Sequence, residues 1–415
     1  MQSRRAGATV RAVFVNHCHP DCPHVCGTRA REFANALARD GHRIVLLTET
    51  LRRDDAALDP AALPAALASH DWSTPFRLAV RPRRAPILQA LRSGRMPAPL
   101  RAAVIAYQYL VRGGMFTDWR DASRPYWRPL AEGFTPDVTW GIFGNTDAWA
   151  IAQGIARAAR CRWVRDLKDQ WTGFIPAPLR RSVAARYADA AGTTGLSRAN
   201  LDDAADTVSG TATVVYSGVP ADRITPGAPA PLPESPFVVT LVGTVYSRDR
   251  LAAFADGVRR FATDVGARQI QVSYVGTDTE TVRAAFDAAK APIEIRGQLA
   301  FADYWRVIAQ SHLNVYLRTP EQGWWHHKIV ELLAVRRPLL CCPGEIEEAR
   351  TLAASVGAVL EEAADARAVA ASLERVWRQR LVPVSQNGPD LSTLGWMSRA
   401  RTLLRVLEGA AGPQA

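Results

Sequence analysis

Ala12-Val13-Phe14-Val15, a loop running to Gly27, the helix-spaced set Ala30, Phe33, Ala34 and Leu37, and then Ile44-Val45-Leu46-Leu47 make up the stretch that decides the fold. Two short apolar runs have the length and composition of buried strands, and the apolar residues between them recur at i, i+3, i+4 and i+7, one face of a helix. Thr28 can cap that helix and Gly41 can end it. The reading is a βαβ unit, hence a parallel sheet that receives ligands above the carboxyl ends of its strands. The loop from Asn16 to Gly27 falls there.

Outward from this unit the rhythm first loosens. From Leu51 to about Thr135 the chain is rich in proline and arginine, and Leu100 to Leu110 reads as an apolar helix flanked by arginines. Such a helix either lies on an anionic membrane surface or packs between layers. After Pro136 the alternation returns: Val138-Thr139-Trp140, a helix over 146–159, Arg162-Trp163-Val164, the acidic run Asp166-Leu167-Lys168-Asp169, a helix from Leu179 and a strand Thr213–Tyr216. Pro220, Pro226, Pro229, Pro231, Pro233 and Pro236 follow, a density that neither a helix nor a central strand tolerates. A second βα series has strands near 237–242, 270–275, 293–295, 313–317 and 339–342. The expected organisation is an α/β domain over 1–220, a linker over 221–236, a second α/β domain over 237–390, and a C-terminal helix and tail over 391–415 that crosses back to the first domain. Two doubly wound halves then face a cleft.

Composition agrees with two soluble domains. The chain has 415 residues, 48% hydrophobic and 22% charged, with a formal charge of +11 and six cysteines. That length exceeds what one core usually supports. No apolar run approaches the roughly 18 residues that span a bilayer, and the N-terminus lacks the features of a secretory signal. The expectation is a cytoplasmic protein, with peripheral contact at the inner membrane face left open by the arginine-flanked helix. The basic residues are scattered and carry no nucleic-acid-binding signature. His17-Cys18-His19-Pro20-Asp21-Cys22-Pro23-His24-Val25-Cys26 crowds metal-ligand types, but its spacings match no common zinc motif. An ordinary strand-to-helix loop is the expectation, without a metal. Cys161, Cys341 and Cys342 read as small buried apolar residues.

Lys328-Ile329-Val330-Glu331-Leu332-Leu333-Ala334-Val335-Arg336-Arg337-Pro338 resembles the donor-site helix of family-4-type glycosyltransferases, which have the two-domain GT-B fold. Other pieces match in the same order: Gly27 through Gly41-His42, Asp166-Leu167-Lys168-Asp169-Gln170-Trp171, Ser217-Gly218-Val219, Gly243-Thr244-Val245-Tyr246, and Trp396 on the last helix. The resemblance spans most of the chain except about 51–125. Three features depart from the pattern. Gly323 stands where the family has a carboxylate, with Glu321 out of register. Arg336 stands where a left-handed glycine usually ends the helix, so either the turn differs or the backbone bears a cost of about 1 kcal/mol. No histidine follows Val138-Thr139-Trp140.

The resemblance implies transfer of a sugar from a UDP- or GDP-linked donor to an acceptor hydroxyl, with retention and with no metal or other cofactor. Charge that grows on the departing diphosphate needs preorganised positive groups. Lys328 at a helix start is the first candidate, and Arg248, or failing that Arg250, the second. Glu331, one turn later on the same face, can accept both ribose hydroxyls. Gly243 admits close approach of a ligand. Gly276, Gly297, Gln298 and Leu299 are placed to line the base pocket, and His327, from the ring-rich Trp324-Trp325-His326-His327, to shape the sugar site. On the N-terminal side Gly27 and Asp166 are expected at the acceptor or cleft, with Asp169 orienting the acceptor. An epimerase or hydrolase of the same fold, or an inactive donor-binding partner subunit, are the alternatives.

Overall fold

The structure is a computed structural model and describes residues 9–22, 25–52, 55–206, 210–224, 229–319, 323, 325, 326, 328–380 and 389–412. The chain divides into two compact units, one running to Ser217 and resuming at Trp396, the other Gly218–Gly395.

Seven strands form the sheet of the first unit: β1 (Arg11–Val15), β2 (Arg43–Glu49), β3 (Phe76–Val80), β4 (Val138–Ile142), β5 (Arg162–Leu167), β6 (Gly192–Gly195) and β7 (Ala212–Val214). Their order is β3-β2-β1-β4-β5-β6-β7, and every neighbouring pair is parallel. Side chains alternate faces along a strand. Val13, Val15, Val45, Leu47, Leu78 and Val80 therefore enter one core, while Ala12, Phe14, Ile44, Leu46, Val138 and Trp140 enter another on the opposite face. Helices cover both faces, which is why the strands read as continuous apolar runs. The helix Val25–Arg39 lies in the second of these cores, beside the C-terminal helix Trp396–Ala411. Phe33 meets Trp396 edge-on at 5.3 Å, and Ala400, Leu403 and Leu407 are buried. The C-terminal helix thus crosses back to the first unit, as expected.

The second unit carries β8 (Phe237–Val242), β9 (Ile270–Val275), β10 (Glu294–Gly297), β11 (Leu313–Leu317), β12 (Leu339–Cys342) and β13 (Leu360–Glu362). These are again all parallel, in the order β10-β9-β8-β11-β12-β13. In each sheet the strand order reverses once, between β1 and β4 and between β8 and β11. Ligands in open α/β sheets bind at such reversals.

Several details differ from the sequence reading. The first helix begins at Val25, so Thr28 sits inside its first turn and does not cap it. β3 arises in the stretch read as loose. β6 is Gly-Thr-Thr-Gly, invisible to a search for apolar runs. It is a buried strand because its hydroxyls pair with β5: Arg165 Nε donates to Thr193 Oγ1 at 2.8 Å, and Thr194 Oγ1 donates to Asp166 Oδ1 at 2.7 Å. The described part of the proline-rich stretch belongs to the second unit, tied down where His312 Nε2 meets the Pro233 carbonyl at 3.0 Å and Arg337 donates to the Ala230 carbonyl at 2.6 Å. Arg336 adopts the left-handed conformation itself, φ +58°, and its guanidinium donates to the Pro389 carbonyl at 2.6 Å. The helix Ala98–Tyr107 has no fully buried residue, but Ile105 and, just after it, Tyr109 pack against the core of the first unit. Cys341 and Cys342 are buried, but Cys161 is only half-buried. Among the described residues no helix is long and apolar enough to cross a membrane.

Candidate functional site

In the second unit the ends of β8, β9 and β10 are stitched together by short turns. The Gly243 N–H donates to the Val275 carbonyl at 3.0 Å, the Gly276 N–H to the Gly297 carbonyl at 3.1 Å, and the Tyr274 hydroxyl to the Gly243 carbonyl at 2.8 Å. Gly243 has φ +96°, a conformation that side-chain-bearing residues rarely adopt. A Cβ on Gly276 would lie 2.2 Å from the Tyr274 hydroxyl oxygen and 2.5 Å from the Gly243 carbonyl oxygen. That glycine is therefore required by the packing of the turns. Gly297, at φ +68°, faces open space, Gln298 is exposed, and Leu299 is half-buried.

Across the β8–β11 reversal, Lys328 precedes the helix Ile329–Ala334. Its stem lies over Gly243, with Cδ and Cε each 3.4 Å from where a Cβ would stand. Its ammonium sits 4.7 Å from the ring centre of Tyr304, on the helix Phe301–Ala309, a cation–π contact. Tyr304 is buried beside Glu331, and burial pushes its hydroxyl pKa well up. Burial likewise raises the Glu331 carboxyl, against the opposing pull of Lys328 and the Tyr304 hydroxyl. The helix has only six residues, so its dipole contributes little, and the ammonium itself supplies the positive charge. Gly243, Lys328 and Glu331 are thus brought together. Arg248 is not: it is exposed at the start of the helix Arg248–Val265, without a side-chain partner among the described residues. Arg250 donates to the Ala364 carbonyl at 3.1 Å. His327 lies outside the described residues.

Beside this group is a buried network that sequence reading missed. Arg318, following β11, pairs with Glu345 at 2.7 Å, both side chains at most 2% exposed. The Tyr316 hydroxyl donates to the other oxygen of Glu345 at 2.7 Å. The His326 ring packs on Tyr316 at 4.9 Å. Burial, with help from Lys328 and Arg318, lowers its pKa to about 3 and keeps the imidazole neutral. The run of rings before Lys328 was the available signal, but nothing local marks Arg318 and Glu345 as partners across 27 residues.

In the first unit the β1–β4 reversal gathers a second group. A Cβ on Gly144, after β4, would lie 2.6 Å from His17 Cε1 and 3.6 Å from Asp169 Oδ2. The His17 imidazole, carried by the loop after β1, therefore occupies the space beside the β4 turn where the sequence shows no histidine. It packs on Phe116 with ring centres 5.2 Å apart. Asp169 is paired with the buried Lys168. Burial alone would lower the Lys168 pKa, but Asp169 and Cys26 outweigh it and the net direction is upward.

Two residues expected at the cleft on this side are engaged by the protein itself. Asp166 is fully buried and ion-paired at 3.3 Å with Arg29, also fully buried, because β5 projects this side chain onto the sheet face covered by the helix Val25–Arg39. Gly27 does not present open space in the direction of its missing side chain, where the His19 carbonyl oxygen stands 2.4 Å from the Cβ position. The loop's own backbone makes the close approach that the glycine permits. Among the described residues no three of His, Cys, Asp and Glu converge to hold a metal. The Cys18 thiol is pushed up by Cys26 and by burial, and Cys26 contacts the Lys168 ammonium. The first feature opposes the thiolate that a metal needs, whereas the ammonium favours one.

No family model matches the chain, and no curated protein matches it in sequence. Solved structures do match over nearly the whole chain. A glycosyltransferase from Rickettsia africae is 12% identical with TM-score 0.56, covering 96% of this chain and 94% of its own. The Anabaena HepE protein in complex with UDP-glucose is 13% identical with TM-score 0.58, covering 95% and 98%. A Listeria monocytogenes protein assigned as a UDP-N-acetylglucosamine 2-epimerase is 9% identical with TM-score 0.55, covering 98% of both. At these identities the likeness is one of fold, and the fold is the GT-B architecture of two Rossmann-like domains.

Proposed function

We propose that the protein is a glycosyltransferase of family-4 type that moves a sugar from a UDP- or GDP-linked donor to an acceptor hydroxyl, with retention and without a metal. The observation that carries the reading is Lys328 laid over the Gly243 turn beside Glu331, at the strand-order reversal of the second sheet. An ammonium in that position meets the charge that develops on a departing diphosphate, the part a divalent cation plays in other transferases. Glu331 accepts the two ribose hydroxyls. Arg248, exposed and unpartnered before binding, reaches the diphosphate when the donor is present, and His327 contributes to the sugar site. Gly276, Gly297, Gln298 and Leu299 border the base. In the first unit His17 and Asp169 orient the acceptor hydroxyl, while the leaving phosphate takes its proton.

The test is a panel of UDP- and GDP-sugars screened by thermal shift, followed by an assay of nucleotide release with and without candidate acceptors, in the presence of a chelator. One class of donor should raise the melting temperature, by an amount that corresponds to about 2.7 kcal/mol at 100 times its dissociation constant. Absence of any shift across the panel rejects the proposal. The Listeria fold relative makes an epimerase the second reading, and that reading wins if the sugar is epimerised with no acceptor present.

A further inference from the structure

The first unit holds a cavity of about 1040 Å³ that none of the groups above uses. It lies past the ends of β2 and β3, and its lining includes Arg81, Arg83, Arg84, Arg92 and Arg95, against only two carboxylates, Glu49 and Asp118. Asp118 is paired with Arg92. Arg81 donates to the Asp55 carbonyl. Arg83, Arg84 and Arg95 have no side-chain partner among the described residues. Guanidinium groups gathered around one space repel each other unless an anion fills it. Each presents a planar fork of donors that matches phosphate oxygens. An excess of three positive charges suits a phosphate dianion better than a single carboxylate.

The cavity adjoins the His17 group. Phe116 belongs to its lining and carries the His17 ring at 5.2 Å, and the N–H of Glu49 donates to the His17 carbonyl at 3.1 Å. A molecule anchored by its phosphate among the arginines can therefore extend past Phe116 toward His17 and Asp169. We propose that this cavity binds a phosphate group and that, on the transferase reading, the acceptor is the molecule that carries it. The phosphate can belong to a soluble phosphate ester or to a lipid headgroup. The lipid source has physical support: Ile87, among the cavity's arginines, and Leu100, Tyr107, Leu110 and Val111, in the segment that follows them, are all exposed.

The experiment is titration of the full chain with inorganic phosphate in saturating UDP or GDP, whichever binds, so that the diphosphate site is filled, for the wild type and for the triple variant Arg83→Ala/Arg84→Ala/Arg95→Ala. The three side chains are exposed, and melting temperature with UDP titration checks that the variant is folded. A triple Arg→Lys variant keeps the charge as a second comparison. The proposal expects saturable phosphate binding that weakens at least tenfold in the alanine variant and less in the lysine one, with UDP affinity unchanged. Flotation with vesicles of phosphatidylcholine, with and without phosphatidylglycerol, separates the sources. Capture only by the anionic vesicles, lost in the alanine variant, assigns a lipid headgroup, and phosphate binding without capture assigns a soluble ester. Equal phosphate affinity in the wild type and the alanine variant, or no phosphate binding at all, overturns the proposal. Failure of both UDP and GDP to bind while phosphate still does overturns the donor reading and leaves the cavity as a phosphate site.

Discussion

Replacing Lys328 by alanine tests the donor side most directly. The free structure already holds this side chain in place, its stem over Gly243 and its ammonium on the Tyr304 ring. Much of the roughly 2 kcal/mol of rotamer entropy that a lysine carries is thus lost before any ligand arrives, and the charge-assisted contact to a diphosphate keeps most of its strength. Such a contact contributes about 1.5–3 kcal/mol, so Lys328→Ala should weaken UDP binding by about 10- to 150-fold. Turnover should fall further, by about 10²–10³, because the ammonium meets charge that is largest in the transition state. Isothermal titration with UDP measures the first effect and steady-state UDP release the second, with the melting temperature as a check on folding. Lys328→Arg should recover only part of the loss, since a planar guanidinium is wider than the methylene stem that fits against Gly243. A UDP affinity within twofold of wild type in Lys328→Ala would refute the assignment.

Glu331 has a folded pKa above its unfolded value of 4.5 because of burial. The stabilisation from its proton is complete below the unfolded pKa and is lost as pH rises through the folded one. Glu331→Gln should therefore melt higher than wild type at pH 8, with the gap closing toward pH 4, while UDP binds about 10- to 150-fold more weakly for want of the ribose contact; a wild type more stable than the variant at pH 8 contradicts this. Gly243→Ala forces an alanine to φ +96° and should cost about 1–3 kcal/mol of stability, read as a lower denaturant midpoint. Asp166 and Asp169 should separate cleanly. Asp166→Asn leaves the buried Arg29 without its only ion pair among the described residues and should destabilise by roughly 3–5 kcal/mol, whereas Asp169→Asn, whose amide oxygen still accepts from Lys168 beside Cys26, should destabilise less and keep UDP binding but lose turnover. Equal thermal effects of the two would remove the distinction.

Strands such as β1, β2, β8 and β11 were legible because both of their faces are covered by helices, so nearly every position must be apolar whatever the partner. Helix spacing and the return of Leu403 and Leu407 to a buried face were legible for the same reason. Lys328, Glu331 and Gly243 could be selected from the chain as types suited to a diphosphate, a ribose and a tight turn. Their meeting depends on β8 lying next to β11 in the sheet, a pairing of segments some 75 residues apart that no local pattern encodes. Tertiary structure alone decided the rest. Asp166 and Asp169 look equivalent in sequence, yet strand geometry seals one against Arg29 and leaves the other at the strand end. The space beside the turn after β4, where the sequence offers no histidine, holds His17 from the loop after β1. Arginines in a stretch with no periodicity become the wall of one cavity. Local chemistry depends on residue type and near neighbours, whereas the electrostatic role of a side chain depends on what the fold places beside it and how much water it excludes.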